Sequence, residues 1–313
     1  MKPKISVIIP VYNGEKTIGE TVKSVLAQTF SLLEIIIIND GSTDSTLNII
    51  ESIDDSRLQV FSYPNAGLAA SRNRGLSHAN CEFISFIDAD DIWTQNKLES
   101  QLKSLLSSED TSVAYSWTDY IDENGKVVKS GRRVTNSGDV YSKLLIYNFL
   151  ENGSNPLIRR EALTSVGGFD ESLAAAEDWE MWLRLAAIYK FAAVSEVQIL
   201  YRLSCSSMST NLTRQESASL IVIERAFSHQ KAESLQSLKK RSIAYLYRYL
   251  TFKALEAHPK TQKSYLTIQF LWKAIINDPS LIKQRRLLFI ALLKITFPQF
   301  SYYLSRFQYR LKS

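Results

Sequence analysis

The chain has 313 residues, of which 45% are hydrophobic and 22% charged, with two cysteines and a net charge of +5. It is long enough for one large domain or a catalytic domain with a smaller appendage; Cys81 and Cys205, far apart and in no CxxC pattern, exclude a disulfide framework and a thiolate zinc site and fit a reducing compartment. Of the 37 Lys and Arg, 15 lie from Leu235 onward, against two of the 32 acidic residues, Glu256 and Asp278, so a basic tail follows an acidic body and reads as a surface for anionic lipid rather than for nucleic acid.

The run MKPKISVIIPVYNGE is too short for a signal-peptide core, so no cleaved leader is expected. Ile5 to Pro10, Leu33 to Asn39, Leu58 to Tyr63 and Glu82 to Ile87 are β-branched or aromatic runs that read as buried strands. Glu15 to Ala27, Ser45 to Ile53 and Gly67 to His78 between them carry apolar residues at helical spacing, with Ser42 or Asp44 as N-cap oxygens. This alternation predicts a doubly wound α/β domain whose ligands collect beyond the carboxyl ends of the strands. Asn124-Gly125 marks a hairpin within Tyr120 to Val128, in a section read as a β-rich insertion. A helix is expected from about Asp178, then strands over Lys190 to Val194 and Val197 to Arg202. From Asn211 the pattern is helical, with breaks at His258-Pro259, Asp278-Pro279 and Pro298. The apolar stretch Leu287 to Phe300 is interrupted by Lys294 and Pro298 and falls short of the roughly 20 residues a membrane span needs.

Polar clusters stand at the strand ends. After the first, Tyr12 of Pro10-Val11-Tyr12-Asn13 can stack on a flat base; after the second, Asp40 of Asn39-Asp40-Gly41-Ser42-Thr43-Asp44 can accept from a base N–H. Both strings are also ordinary turn formers. The third loop, Asn65 to Gly75, sets Arg72 among small residues as a planar fork for phosphate or an acidic side chain, or as a solvated helical arginine. In the fourth, FISFIDADDIW, three carboxylates fall within four residues after an apolar strand. Their mutual repulsion asks for a hard cation such as Mg²⁺ or Mn²⁺ bridging to a diphosphate, unless the turn is simply solvated. Glu177-Asp178 opens a helix among aromatics, suited either to general-base work or to capping.

Together VIIPVYN, NDGSTD, NAGLAASRNRG, FIDADD and GGFDESLAAAEDWEMWLRLA, in this order over Ile5 to Arg202, resemble the inverting family-2 glycosyltransferases of GT-A fold. That resemblance implies a nucleotide-diphospho-sugar transferase with a Rossmann-like mixed sheet, a catalytic domain over 1–210 (donor-binding half about 1–116, acceptor half about 117–210) and a basic helical region over 211–313. It implies that Tyr12 and Asp40 contact the base, with Pro10, Asn13 and Glu15 shaping the pocket and Gly67, Arg72 and Asn73 along the nucleotide and phosphates. Asp88 and Ala89 would face the sugar-nucleotide, Asp90 would hold Mg²⁺ or Mn²⁺ with Asp91 in support, and Arg202 would lie near the diphosphate. Asp178 would be the catalytic base and Glu177 its positioner. Asn39 replaces an aspartate the family often carries, and the Gln-x-x-Arg-Trp string of processive synthases is absent, so one sugar per encounter is expected.

The expected donor is a UDP-sugar, with thymidine or guanosine diphosphate sugars as competitors. The acceptor would be a glycan or lipid-linked hydroxyl in surface polysaccharide assembly. Expected localisation is cytoplasmic, or peripheral at the cytoplasmic membrane face through Lys283 to Lys294 and Ser301 to Lys312; a helical appendage with a solvated basic face is the competing reading. A catalytically idle, membrane-recruited nucleotide-sugar scaffold is the alternative of another class. A sugar nucleotidyltransferase fits poorly, because PVYNGEKTIG is not a Gly-rich basic loop.

Overall fold

Strands β1 (Ile5–Val11) and β2 (Leu33–Asn39) are buried along their whole length, as strands covered by helices on both faces must be. The computed structural model describes residues 4–204, 211–256 and 264–296; Cys205, His258-Pro259, Pro298 and Ser301 to Lys312 lie outside them. Next come β3 (Leu58–Ser62), β4 (Phe83–Phe86), β5 (Ile92–Trp93), β6 (Thr111–Ile121), β7 (Val127–Ser130), β8 (Leu157–Arg159) and β9 (Lys190–Arg202). Among the described residues these nine strands form one sheet in the order β3-β2-β1-β4-β8-β6-β9-β5, with β7 on β6. β3-β2-β1-β4 are parallel, and β8 joins β4 and β6 antiparallel, so the sheet is mixed.

Helices α1 (Ile18–Leu26), α2 (Thr46–Glu51) and α3 (Leu68–His78) connect the parallel strands, and α4 (Lys97–Leu106) follows β5. α1 seats Ile18, Val22 and Val25, and α4, packed on β6 and β9, seats Leu98, Leu102 and Leu105, in one hydrophobic core, as i, i+4, i+7 spacing requires. From β1 the chain steps through β2 and β3 on one side and returns to β4 on the other. That reversal opens the crevice in which ligands of open α/β sheets bind, between the ends of β1 and β4. The short helices α5 (Tyr141–Leu144) and α6 (Arg160–Val166) and the longer α7 (Glu177–Ile188) complete this unit.

Several expectations change. β3 is an edge strand, paired only with β2 and partly exposed, not a buried one. The two strands expected over 190–202 are one strand, β9; its pairing with β6 slips between Val194 and Val197, a bulge that breaks the alternation in the sequence. β6 and β7 form the hairpin at Asn124-Gly125, with Gly125 at φ +78°, but β6 belongs to the main sheet and is no insertion. At α2, Asp44 Oδ1 accepts from Thr46 N–H, whereas Ser42 Oγ accepts from Asn13 N–H instead.

The chain divides into two compact units, one of Met1–Leu144, Asn148–Leu173 and Glu177–Ser204 and the other of Leu145–Tyr147, Ala174–Ala176 and Cys205–Ser313. The described part of the second is helical: α8 (Leu212–Ser228), α9 (Lys239–Glu256), α10 (Ser264–Asn277) and α11 (Arg285–Thr296), with 3₁₀ segments at Gln230–Leu238 and Pro279–Lys283. Asp278 caps the latter and Pro279 starts it, which accounts for the break read there. No described helix is long and apolar enough to cross a membrane.

Gly75 of α3 faces β1, and a Cβ there would stand 2.3 Å from Ile8 Cγ2, a stiff β-branched neighbour with little freedom to yield. Gly75→Ala is expected to destabilise the protein by roughly 1–3 kcal/mol, seen as a lower Tm; an unchanged melt would contradict this close helix–strand contact.

Candidate functional site

The first layer of the crevice is a net of turn residues. Asn13 sits in the left-handed region at φ +51°, which asparagine tolerates better than most residues, and its Oδ1 accepts from Thr43 N–H while Glu15 Oε2 accepts from Ser45 N–H. These bonds fasten the loop after β1 to the loop after β2 and leave Tyr12 54% exposed, its ring available for stacking. Pro10 is buried within β1 opposite Ile38. Asp40 is buried: Oδ1 accepts from Ala66 N–H at 3.0 Å and Arg74 Nη1 at 2.9 Å, and Oδ2 from Gly67 N–H at 2.8 Å. It therefore satisfies free N–H groups at the start of α3, and Gly67 supplies the left-handed turn, φ +91°.

The second layer is the acidic turn after β4. Asp91 is fully buried; Ser154 Oγ donates to it and Arg202 N–H donates at 3.0 Å. The same Ser154 oxygen accepts from Asp88 N–H at 2.9 Å, and Thr21 Oγ1 holds the carbonyls of Ala89 and Asp91. Asp90 is different: among the described residues no other residue donates to its carboxylate, which stands partly exposed at the mouth. Burial, then the charge of Asp88, pushes its carboxyl up to about 6. Burial, then Asp90 and Asp88, holds Asp91 well above the usual carboxylate range. Asp90, the one lacking a donor, offers hard carboxylate oxygens of the kind divalent cations take; among the described residues no group of three or more His, Cys, Asp or Glu is placed to hold a metal ion.

The third layer joins the turn to α7. Arg72, buried in the first turns of α3, donates Nη2 to Asp88 Oδ1 at 2.7 Å and Nη1 to Glu177 Oε1 at 2.8 Å. Burial works against its charge, but Asp88, Glu177 and Asp178 outweigh it, so its proton is held more tightly than an ordinary arginine's. The Phe169 ring centroid lies 5.3 Å from the guanidinium, and a Cβ on Gly153 would press on Arg72 Nη2, so a larger residue at 153 would push the guanidinium aside. Beside Glu177, Asp178 Oδ2 accepts from Asn148 Nδ2 at 3.2 Å and Oδ1 from Trp179 N–H at 2.6 Å. Burial, then Glu177, pushes its carboxyl up to about 7, against the pull of Arg72. A carboxylate poised near neutrality is suited to proton transfer.

The expected residues thus divide. Tyr12, Asn13, Glu15, Gly67, Asp88, Ala89, Asp90 and Asp178 line the crevice at the strand ends. Asp91, Arg72, Asn73 and Arg202 do not present themselves to a donor. Asp91 is saturated inside the protein as above, and Arg72 spends both Nη groups there, leaving its buried Nε without a partner. Asn73 clamps the loop before α7, bonding Phe169 N–H and O and Glu171. Arg202 is buried and spends its guanidinium on Asp90 O, the carbonyls of Asp122 and Glu123, and Glu20. Unforeseen are Asn148, Ser154 and Gly153, from a polar run that reads as a plain turn, and Arg74, whose spacing of two from Arg72 was the only hint.

A family model described as "Glycosyltransferase like family 2" matches residues 6–254. The chain is 33% identical over 211 residues to the Escherichia coli UDP-Glc:alpha-D-GlcNAc-diphosphoundecaprenol beta-1,3-glucosyltransferase WfgD, covering 66% of this chain and 80% of that one. It spans only 28% to 61% of four Rickettsia proteins named as uncharacterized glycosyltransferases, to which it is 27% to 34% identical. In fold it is similar to S. aureus TarS in complex with UDP-GlcNAc (TM-score 0.59, 19% identity, 90% of this chain and 92% of that one). It is similar also to the mannosyltransferase PcManGT of Pyrobaculum calidifontis in complex with GDP-Man and Mn²⁺ (TM-score 0.60, 20% identity, 96% and 88%). Both are GT-A structures, and the sheet and flanking helices here have that fold.

Replacing Arg72 by leucine leaves Asp88, Glu177 and Asp178 without their shared cation and is expected to cost about 3–5 kcal/mol of stability near neutral pH. Asp178 then loses the pull of Arg72 that opposes its burial, so its raised folded-state pKa rises further and the deficit grows from pH 5 to pH 8 in denaturant unfolding. A deficit that does not change with pH would contradict the assignment.

Proposed function

From the premise that the chain belongs to the glycosyltransferase-like family 2, we propose that it moves a sugar from a nucleoside-diphosphate donor to an acceptor hydroxyl by a single inverting displacement, one sugar per encounter. One observation carries the reading. A carboxylate raised to about 7, Asp178, stands beside Glu177, and Glu177 shares Arg72 with Asp88 of the acidic turn. Two carboxyl functions with separate environments are what such a reaction needs, one to hold charge and one to take a proton.

Tyr12 stacks on the base, and Asp40 Oδ2, which accepts a single protein N–H, keeps a lone pair for the imide N–H of uracil. This favours UDP-sugars, in keeping with the UDP-Glc in the name of the E. coli relative and the UDP-GlcNAc bound to TarS. Asp90 is the carboxylate that would hold Mg²⁺ or Mn²⁺, and the GDP-Man complex of PcManGT contains Mn²⁺. When bound, the cation neutralises charge developing on the departing diphosphate. Asp91, Ser154 and Arg202 fix the turn so that Asp90 stays at the mouth. Asp178 accepts the proton of the acceptor hydroxyl as that oxygen attacks the anomeric carbon, with Asn148 orienting its carboxylate and Glu177 keeping its pKa high. The acceptor class is a glycan or lipid-linked hydroxyl in surface polysaccharide assembly, the diphosphoundecaprenol acceptor of the E. coli relative being one example.

The test is nucleoside diphosphate release across UDP-, dTDP- and GDP-sugars with Mg²⁺ or Mn²⁺. Asp178→Asn is expected to bind donor normally and to lose about two to four orders of magnitude in transfer. The wild-type rate should fall about tenfold per pH unit below about 7, as Asp178 protonates. Normal transfer by the variant, or a flat acid limb, would move the base elsewhere. Full activity of Asp90→Ala with divalent ions present would overturn the metal assignment.

A further inference from the structure

Helix α10 of the second unit packs Phe270, Leu271 and Ala274 inward, and among the described residues its opposite side is exposed. There Tyr265 is 75% exposed and Trp272 62%, with Ile268 and Ile276 also exposed. At 100° per residue these four positions fall within about 80° of the circumference. No charge lies in that arc. The helix has one charged residue, Lys273, whose ammonium is turned to Glu216 at 2.7 Å and lies over the Tyr247 ring. In α11, Ala291 and Leu288 pack against Leu255 and Leu271, while Phe289 and Leu292 are exposed at 65% and 55%. An ordinary solvated helix face interleaves charges; an apolar face of this extent belongs against something.

We propose that this face of the helical unit docks on an anionic lipid bilayer surface, with Trp272 at the centre of the inserted arc and Tyr265, Ile268 and Ile276 around it. Charge selects the occupant. From Leu235 onward the chain has 15 Lys and Arg against two acidic residues, and basic residues beside an inserted apolar face strengthen attraction to anionic lipid. A second copy seated face to face would bring two such basic regions together. Nucleic acid would have no use for the stripe. Trp and Tyr are the side chains that membrane interfaces collect. The proposal is independent of the catalytic reading and stands or falls without it.

The test uses the full chain and sedimented or floated vesicles. Binding is expected to phosphatidylcholine vesicles with one-third phosphatidylglycerol, weakly or not at all to phosphatidylcholine alone, and to weaken in high salt. Combining Tyr265→Ser with Trp272→Ser should reduce binding about tenfold or more, circular dichroism confirming that the variant is folded. On the otherwise native chain, vesicles should shift tryptophan emission to the blue, and Trp272→Phe should remove that shift. Equal binding by the double variant, equal binding to neutral vesicles or an emission shift that survives Trp272→Phe would overturn the proposal. So would a dimer of the native chain that the double variant loses, which would give the face to a second copy.

Discussion

One buried guanidinium organises the site. Arg72 is inaccessible to water and could not remain charged there alone; it is stabilised by Asp88 from the turn after β4 and by Glu177 from the start of α7, 16 and 105 residues away in the chain. Because each partner would be an uncompensated buried or half-buried charge without it, the three groups hold one another in place. Gly153 leaves room for the guanidinium on one side, and the Phe169 ring lies near it at 5.3 Å. Through this link the start of α7, more than 80 residues further along the chain, brings Asp178 beside the turn after β4.

The charge balance follows. Asp88, Asp90, Asp91, Glu177 and Asp178 share two buried arginines, Arg72 and Arg202, and Arg202 reaches Asp90 through its backbone carbonyl rather than its carboxylate. Three of the five carboxyls are lifted in consequence, Asp90 to about 6, Asp178 to about 7, and Asp91 well above the usual carboxylate range. A carboxyl whose folded-state pKa is raised destabilises the fold as pH climbs from its unfolded value through the raised one. The protein thus tolerates at neutral pH a cost that a purely structural arrangement would have avoided, which is the signature of a working site.

Much of this was legible in the amino-acid order. The apolar strands, the helical spacing of Ile18, Val22 and Val25, and the polar strings at each strand end locate the crevice, because burial on both sides of a parallel strand leaves a pattern that no neighbour alters. What was not legible is direction. Asp90 and Asp91 are adjacent and chemically identical, yet one faces the mouth and the other bonds Ser154 and the Arg202 backbone; that choice depends on residues more than 60 positions away. Arg72 near a ligand edge offers a fork of donors to phosphate, and the resemblance to family-2 glycosyltransferases implies a phosphate-side place for Asn73 and Arg202 as well. Their carboxylate and carbonyl partners come from distant loops, and only the folded chain shows the Arg72 Nη groups, the Asn73 amide and the Arg202 guanidinium already spent. The β9 bulge and the edge position of β3 escaped for a similar reason, since strand order is a property of the sheet rather than of any strand.

The claim that one cation couples the turn after β4 to the start of α7 is tested most directly by a double-mutant cycle of Asp88→Asn and Glu177→Gln, measured as unfolding free energy with Arg72 intact. A coupling of at least about 1 kcal/mol is expected, since groups sharing one buried partner are not additive. Additive effects, within about 0.3–0.5 kcal/mol, would mean that the two carboxylates act separately and would contradict the account.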